Sequence, residues 1–457
     1  MQKPISTALT KRAHAIASAI VFAAMPSLRA QATAPAEPPA VFGGIEAGPL
    51  WIGGQANYIL QGHGDFHSPY EGANSLHAES EHALSHVLTL YTVCRLSKGS
   101  ELVVDVESAG GRGISDAFGI AGFTNLDVVR NPGLGAAPYL ARLEIHTVVP
   151  LGDETESVPR GPLSGFAVLP ARRLEIRAGK MGTPDSFDLN GVGSDSHLQF
   201  LNWSIDNNGA YDYAADTRGY TLGALAEYHV PLWSVRAGLM LMPAVANGIK
   251  LDHDVRHARG ENLEFEFRPQ IAADRATAVR LLLFRNLARM GSYREALADG
   301  NGAPPDITES RQRGRTKYGA GLNAEQELTE RIRAFARLGW NDGRNESFAY
   351  TEVDRTAAAG FDLRPSTRRP LDKVGVALVA NRISALHRAY LAAGGLGFLL
   401  GDGALRYGPE RIVEVYYTAY IGRGVYLSAD LQDIRDPGYN RDRGPVLVPA
   451  ARLHVDF

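Results

Sequence analysis

The segment from residue 181 to residue 218 concentrates side chains that can bind a ligand rich in hydroxyl groups. Carboxylates and carboxamides exchange hydrogen bonds with hydroxyls, and an indole ring stacks on the apolar face of a sugar ring. These side chains, with one phenylalanine among them, are Asp185, Phe187, Asp188, Asn190, Asn202, Trp203, Asp206 and Asp212. The alternative is that they only hold a loop in place by hydrogen bonds. Asp185, Asp188, Asn202 and Trp203 are the leading candidates for ligand contact.

A second set of polar side chains recurs at every other position of neighbouring segments. A period of two places them on one face of β-strands. The set comprises Arg142, Glu144, His146, Arg173, Glu175, Arg177, Glu264, Glu266, Arg268, Arg280, Glu325, Arg333 and Arg337. Opposite charges at this spacing can pair between strands, or they form only a solvated polar face. Mixed signs favour neutral polar solutes over ions, so Arg142, Glu144 and Arg177 are further candidates.

Aromatic residues also fall on the polar face of predicted strands. They are Tyr416, which shares its strand with Glu414, and Phe335, Tyr420 and Tyr426. Glu414 and Tyr416 complete the candidate set, as an acceptor and as a surface on which a ring slides. Loop packing is the alternative, and a one-residue slip in register would reverse every such assignment. Tyr417 lies on the apolar face, which is typical of an interfacial girdle.

The sequence favours no covalent chemistry. It contains no P-loop, no G-x-S-x-G elbow and no H-E-x-x-H motif. His63, Asp65 and His67 alternate and could bind a divalent cation, but packing of the loop or rim is the favoured interpretation, because no further ligand pair has suitable spacing. Cys94 is the single cysteine and cannot form an internal disulfide, and a net charge of −3 does not indicate a nucleic-acid partner. We therefore expect no enzyme, no cofactor and no metal site.

The N-terminus reads as an export signal. Lys3, Lys11 and Arg12 precede an apolar run over 13–25, and Ala30-Gln31-Ala32 is a plausible cleavage site. The run is shorter than the roughly 20 residues of a membrane-spanning helix. We predict a signal peptide over 1–32, a Pro/Ala-rich periplasmic leader over 33–41, and one domain over 42–457.

This domain is predicted to be all-β, because short alternating segments follow one another to the last residue. In the final segment, Leu447, Leu453 and Phe457 share an apolar face, whereas Arg452 and His454 share a polar one. Such a strand separates an apolar environment from an aqueous one. The predicted strands, about sixteen, are 53–60, 84–96, 101–107, 139–149, 172–180, 220–228, 233–242, 262–268, 278–285, 318–327, 333–340, 355–364, 373–381, 413–421, 425–432 and 446–457.

The connections alternate between short and long, which is the pattern of an outer-membrane β-barrel. The predicted short periplasmic turns are 97–99, 230–231, 328–331 and 422–424, and 150–171 is longer than expected. The predicted long external loops are 61–83, 110–139, 181–218, 287–315, 382–410 and 434–445. Since an unpaired backbone group is costly in hydrocarbon, the sheet must close into a transmembrane antiparallel barrel. Sixteen strands leave an aqueous lumen.

Several motifs across the mature chain resemble those of the carbohydrate-selective porins of the OprB family. They are SPYEGANSL from Ser68, DSFDLN from Asp185, FLNW from Phe200, GAYDYAADTRGYTLG from Gly209, FRNLARMGSY from Phe284, ARLGWNDGRNESFAYTEVDR from Ala336, HRAYLAAGGLGFLLGDG from His387, YGPE from Tyr407 and YNRDRGPV from Tyr439. The resemblance implies a sixteen-stranded porin that passes sugars passively. It also implies that the third external loop folds into the lumen and narrows it.

The sequence therefore predicts a passive outer-membrane channel for mono- or small oligosaccharides in a Gram-negative bacterium. Its partners would be a sugar solute and outer-membrane lipid, with no nucleic acid. A general or polysaccharide-export channel is the alternative, with a barrel hydrolase as a weaker one. The sequence leaves open whether the protein is a homotrimer or a monomer.

Overall fold

The computed structural model describes residues 40–42, 45–127, 134–271, 275–300 and 302–457. The predicted signal peptide and residues 33–39 of the predicted leader lie outside the described residues. At the start of the described chain, the backbone N–H of Val41 donates to the carbonyl of Asp456, 2.8 Å away. The N-terminal end of the barrel domain thus begins beside its last strand.

Sixteen long antiparallel strands form the fold, one for each predicted strand. They are β1 Leu50–His63, β2 Glu81–Arg95, β3 Ser100–Gly111, β4 Tyr139–Pro150, β5 Arg173–Met181, β6 Thr221–Val230, β7 Trp233–Leu241, β8 Arg259–Phe267, β9 Thr277–Met290, β10 Gln312–Glu327, β11 Ile332–Asn341, β12 Arg355–Leu363, β13 Lys373–Arg382, β14 Glu410–Gly422, β15 Val425–Arg435 and β16 Val446–Asp456. Each pairs with its neighbours in the chain.

The sheet closes on itself because the last strand pairs with the first. The β16–β1 register runs from Ala450 opposite Gln61 to Asp456 opposite Gln55. Closure satisfies both edges of the sheet, as a barrel in hydrocarbon requires. The predicted fold class, a closed antiparallel barrel of sixteen strands, is confirmed.

Short strands, helices and 3₁₀ turns accompany the sixteen long strands. Strand Ile45–Ala47 pairs with β1, and Thr155–Ser157 pairs with Val168–Pro170. The helices are α1 Trp203–Asp206, α2 Tyr293–Asp299 and α3 Ala385–Ala392, and 3₁₀ turns cover Ile114–Ala117, Thr183–Asp185 and Pro437–Tyr439. Within the described ranges, no helix combines the length and the apolar character needed to cross a bilayer.

Side chains alternate in and out along each strand, as the period of two predicts. On β16, Leu447 and Leu453 are 57% and 38% exposed on the outer face, whereas Arg452 and His454 are each 2% exposed on the inner one. Exposed leucine and valine therefore cover the outside of the barrel, and polar residues cover the inside. This arrangement fits a lipid-facing outer surface.

The two rims of the barrel differ in the length of their connections. The rim called here the turn rim carries 96–99, 151–172, 231–232, 268–276, 328–331, 364–372 and 423–424. The opposite rim, the loop rim, carries 64–80, 112–138, 182–220, 242–258, 291–311, 342–354, 383–409 and 436–445. The turn-rim connections are short except for 151–172, as expected from the sequence. Residues 182–220, called the third loop, are the longest connection.

The apolar core lies inside the barrel rather than between two layers. Phe187, Phe200 and Trp203 of the third loop belong to a buried cluster that includes Leu282 and Tyr416 of the wall. A second cluster packs α2 and α3 beneath the loop rim. The third loop thus fills one side of the lumen and leaves space on the other.

Candidate functional site: the lumen beside the third loop

One side of the lumen binds the third loop through charged side chains. We call the inward face of β8, β10, β11, β14 and β16 the bound wall. The carboxylate of Glu414 accepts hydrogen bonds from the backbone N–H groups of Leu201 at 2.5 Å and Asn202 at 3.1 Å. Arg452 donates to the carbonyls of Ser196 and Gln199, at 2.6 and 2.9 Å. Charged side chains of the strands therefore form the hydrogen bonds that water would otherwise form with the loop backbone.

Arg337 of the bound wall contacts three separate residues of the third loop. Its guanidinium donates to the carbonyls of Ile205 at 2.6 Å and Asp188 at 3.0 Å, and to Oγ of Ser194 at 2.6 Å. The Asp188 carboxylate lies 3.2 Å from Arg337 Nε and also accepts from Asn323 Nδ2 at 3.0 Å. These bonds fix the middle of the third loop against β10 and β11.

Trp203 and Asn202 are also enclosed by protein. The Trp203 indole donates to the carbonyl of Asn125 at 2.5 Å, and its ring stacks on Tyr350 with centroids 5.6 Å apart. The side chain of Asn202 caps α1 by accepting from Ser204 N and donates to Gln432 at 3.1 Å. Trp203 is 3% exposed and Asn202 is fully buried. Both residues hold the loop, which is the alternative that the sequence left open.

The aromatic residues of the polar strand faces pack in the same way. Tyr416 is 1% exposed and meets Phe200 edge-on, with ring centroids 4.9 Å apart. Phe335 also packs on Phe200, at 6.1 Å, and Tyr426 packs on Tyr420, at 5.2 Å. In these positions Tyr416, Phe335 and Tyr426 offer almost no surface to a solute. Asp188, Asn202, Trp203, Glu414 and Tyr416 thus line the loop–wall contact.

The opposite side of the lumen remains open. We call the inward face of β3, β4, β5 and β6 the open wall. A cavity of about 440 Å³ lies between the third loop and the part of the barrel wall formed by β2, β3 and β4. Its lining includes Arg142 and Glu107 of the strands, Asp185, His197 and Trp203 of the third loop, and Tyr350.

Arg142 and Asp185 span this cavity as a bidentate ion pair. Arg142 Nε and Nη2 each lie 2.7 Å from an oxygen of Asp185, and Nη1 donates to Asp105 at 2.8 Å. The Arg142 side chain is 14% exposed and that of Asp185 is 21% exposed. The pair therefore keeps some of its donors and acceptors open to the lumen.

Two tyrosines extend this polar surface toward the loop rim. Tyr220 donates to Glu107 at 2.8 Å, and Tyr139 donates to the same carboxylate. Burial and the neighbouring Glu107 charge raise the pKa of Tyr220, so its phenol remains protonated as a donor. The guanidinium of Arg218 covers the Tyr139 ring at 3.9 Å. This edge of the cavity thus combines ring surface with charge.

A smaller cavity of about 130 Å³ continues toward the turn rim. Here Arg177 Nη1 pairs with Glu144 at 2.5 Å. Asp185 and Leu163 line both cavities, so the two spaces adjoin. Four of the predicted residues therefore lie along one passage, namely Arg142, Glu144, Arg177 and Asp185.

The long connection 151–172 enters the lumen from the turn rim. The carbonyl of Leu163 accepts from Arg177 at 3.1 Å, and the N–H of Gly165 donates to Glu101 at 3.0 Å. Phe166 packs edge-on against His146, with ring centroids 5.7 Å apart. The passage is thus narrowed from both rims.

The alternating His63, Asp65 and His67 make loop contacts. His63 Nε2 bonds Glu81 at 3.0 Å, Asp65 accepts from the N–H of Ser80 at 2.7 Å, and the carbonyl of His67 accepts from the N–H of Gly444. In the part of the chain that the structure describes, no group of three or more His, Cys, Asp or Glu residues has a geometry suited to a metal ion.

The sequence interpretation missed several residues of the passage. Glu107 follows Glu101 and Asp105 at alternate positions of β3, so the same period of two indicates it. Tyr139 begins β4 and Tyr220 directly precedes β6, and neither residue carries a separate signal. Leu163 lies in a connection whose unusual length was the only sign, and length does not reveal where a loop folds.

A closed barrel with a polar lumen, narrowed by an inward loop and lined by paired charges, defines the β-barrel porin class. Residues 73–457 match the family described as carbohydrate-selective porin, OprB family, and the chain belongs to that family. Members of this family are outer-membrane channel proteins of Gram-negative bacteria. No curated protein matches the chain by sequence.

Solved structures show the same fold at low sequence identity. Pseudomonas putida OprB in its high-pH structure has a TM-score of 0.67 and 16% identity, covering 90% of this chain and 94% of that one. The Acinetobacter baumannii outer membrane channel DcaP has a TM-score of 0.51 and 8% identity, covering 89% and 97%. These similarities support the barrel architecture.

Proposed function

We propose that this protein is a passive channel for mono- and small oligosaccharides, which cross the barrel between the third loop and the open wall. The observation that carries the proposal is the pair of adjoining cavities, joined at Asp185 and Leu163 and lined by ion pairs. A passage lined by paired charges offers donors and acceptors together without a strong net field. Such a lining suits neutral polyhydroxylated solutes better than ions.

The geometry of the Arg142–Asp185 pair suggests how a sugar is handled. A guanidinium presents a planar fork of donors, and a carboxylate presents several acceptor sites. A sugar hydroxyl can donate a hydrogen bond to Asp185 and accept one from Arg142. These two hydrogen bonds replace those that the hydroxyl makes to water in solution. The bonds are weak enough to release the solute, so flux runs down the gradient.

The ring surfaces of Tyr139 and Tyr220 lie at the loop-rim end of the same cavity. The apolar face of a pyranose ring packs well on an aromatic ring or its edge. Tyr139, which is partly exposed, therefore acts as the entry surface in our proposal, ahead of the Arg142–Asp185 pair. Tyr220 is 8% exposed and serves mainly as the donor to Glu107. Trp203 also lines this cavity but is only 3% exposed, and Tyr416 is covered by protein.

The test uses purified full-length protein in planar bilayers and in proteoliposomes. Glucose and maltose should enter proteoliposomes faster than size-matched amino acids, and they should block the ionic current in a saturable way. Arg142→Ala should weaken sugar binding and so raise the sugar concentration that blocks half of the current by about tenfold. The reason is that a charge-assisted hydrogen bond contributes roughly 1.5–3 kcal/mol. Arg364→Ala, an exposed arginine on the turn rim, is the matched control.

Two outcomes would contradict the proposal. Equal uptake of sugars and size-matched amino acids would indicate a general channel. Current blockade that is unchanged in Arg142→Ala, with the barrel still folded, would place the sugar path elsewhere.

A further inference from the structure

Four arginines face outward at the loop rim on consecutive strands β12, β13, β14 and β15. They are Arg355, Arg382, Arg411 and Arg435, and all four are exposed. Arg355 lies directly opposite Arg382, and Arg411 lies directly opposite Arg435. We call this set the arginine strip. It belongs to the outer surface and takes no part in the lumen.

Two like-charged cross-strand pairs are unfavourable unless an anion compensates them. Arg411 bonds Asp436 at 3.1 Å, and Arg435 bonds Asp433 at 3.3 Å. Among the residues that the structure describes, no carboxylate lies within ion-pair distance of Arg355 or Arg382. These two guanidiniums therefore leave their donors available side by side.

On the turn-rim side of Arg355 and Arg382, the outer surface of the barrel is apolar. The next outward-facing pairs toward the turn rim are Ala357 with Ala380, and Ala359 with Leu378. The bulkier Trp340, 40% exposed, lies beside this surface and directly opposite Arg355. A tryptophan at this height is typical of the interface between hydrocarbon and headgroups. The arginines thus lie at headgroup level above Ala357, Ala359 and Ala380. These three alanines lie beside the bulkier, exposed Leu338 and Leu378, and we call them the alanine groove.

We propose that the Arg355–Arg382 end of the arginine strip binds the phosphate group of an anionic lipid in the leaflet at the loop rim. Paired guanidiniums bind phosphate oxygens through charge-assisted, bidentate hydrogen bonds, and this removes the repulsion between the two arginines. An acyl chain of the same lipid lies along the alanine groove. Arg411 and Arg435, each already bonded to an aspartate, extend the positive surface.

The proposal commits to a lipid because phosphate and acyl contacts lie one above the other on the same face. A free phosphate would use the arginines alone. The alanine groove would then remain unoccupied by the ligand and would not affect affinity.

The experiment measures lipid retention by the full-length barrel. Protein in mixed micelles is titrated with bis-phosphorylated lipid A, and retained lipid is counted by native mass spectrometry. The double variant Arg355→Ala/Arg382→Ala should bind at least tenfold more weakly than the wild type. The matched control is Arg364→Ala/Arg368→Ala, which removes two exposed arginines from the turn rim. Heat-modifiable migration in gels checks that both variants are folded.

Further measurements distinguish a lipid phosphate from free inorganic phosphate as the ligand. Dephosphorylated lipid A should be retained poorly by wild type and variant alike, and inorganic phosphate should compete only at far higher concentration. Ala357→Trp, which fills the groove and keeps both arginines, should also reduce lipid retention. Equal retention by wild type and the Arg355/Arg382 variant, or competition by inorganic phosphate at equal concentration, would overturn the proposal. Sugar permeation should not change, so this test is independent of the proposed transport function.

Discussion

The bound wall and the open wall of the lumen carry the same kinds of side chain and use them differently. On the bound wall, Glu414, Arg337 and Arg452 direct their hydrogen bonds into the backbone of the third loop. On the open wall, Arg142 and Arg177 pair with carboxylate side chains. One set of charges builds the constriction, and the other lines the space that the constriction leaves.

Charge on a lumen-facing strand therefore does not by itself mark a solute site. The Arg337 side chain is fully buried, whereas that of Arg142 is 14% exposed. A buried guanidinium must be satisfied by protein, because no water remains to solvate it. A partly exposed ion pair keeps bonds that a solute can exchange with water.

Removing an anchor of the bound wall should have the largest effect. Arg337→Ala removes the ion-pair partner of the buried Asp188 carboxylate and the guanidinium donor to the Ile205 carbonyl. Breaking a buried ion pair costs about 3–5 kcal/mol. We expect the third loop to detach, single-channel conductance to rise and become heterogeneous, and proteinase K to cut within 182–220. Planar-bilayer recordings and limited proteolysis measure these effects.

Arg333→Ala is the matched control for Arg337→Ala, because Arg333 lies on the same face of β11 and pairs with Asp362 of the neighbouring strand. It should leave the third loop in place. Similar proteolysis of both variants would mean that the two arginines do not differ in their hold on the loop.

The stability of the loop-rim segments that surround His387 should depend on pH. His387 of α3 is fully buried, 3.2 Å from Asp354 and 3.6 Å from Glu352. Burial lowers its pKa, but the bonds to Asp354 and Glu352 outweigh burial and raise it to about 9. The stabilisation is complete below the unfolded pKa of about 6.5 and is lost as the pH rises through about 9. The change in the free energy of unfolding is roughly 3 kcal/mol.

We therefore expect the protection factors for hydrogen exchange in 342–354 and 383–409, which correct for the base-catalysed intrinsic rate, to fall between pH 6 and pH 10. His387→Gln should show low protection factors at both pH values, with little dependence on pH. His77→Gln, an exposed histidine of another loop, provides the control. A pH response that persists in His387→Gln would assign it to other groups.

Charge removal at Asp185, the third-loop partner of Arg142, should change the ion selectivity of the channel. Asp185→Asn keeps the size of the side chain and leaves Arg142 with less compensating negative charge. Anions should then permeate more readily, and the reversal potential in a salt gradient should shift toward that of chloride. Asp153→Asn, on an exposed turn-rim segment, should not shift it. A shift toward cation selectivity would contradict the assignment of Asp185 to the passage.

The smallest effect is expected at Leu163, where the connection 151–172 meets the passage. Leu163→Trp adds volume between the two cavities and should lower conductance, whereas Leu163→Ala should raise it slightly. Leu151→Trp, in an exposed part of the same connection, is the control. Equal conductance for the two Leu163 variants would show that this side chain does not border the conducting path.

Much of the barrel could be predicted because strand periodicity is local. The alternation of Leu447, Leu453 and Phe457 with Arg452 and His454 already separates the outer face from the inner one. The parity that placed Arg142, Glu144 and Arg177 in the lumen was therefore reliable. The same rule also placed Tyr416 and Glu414 inside, but it could not tell whether a solute or a loop would meet them.

The number of strands, the inward and outward face of each strand, and the rim that carries the long loops could all be predicted from the sequence, since each follows from neighbours in the chain. Which inward charges face open space and which face protein depends on the folding of the third loop. The third loop folds onto β8–β16 rather than β3–β6, and that choice depends on contacts between residues far apart in the chain. It leaves Arg142 and Asp185 at the passage and buries Trp203 and Arg337.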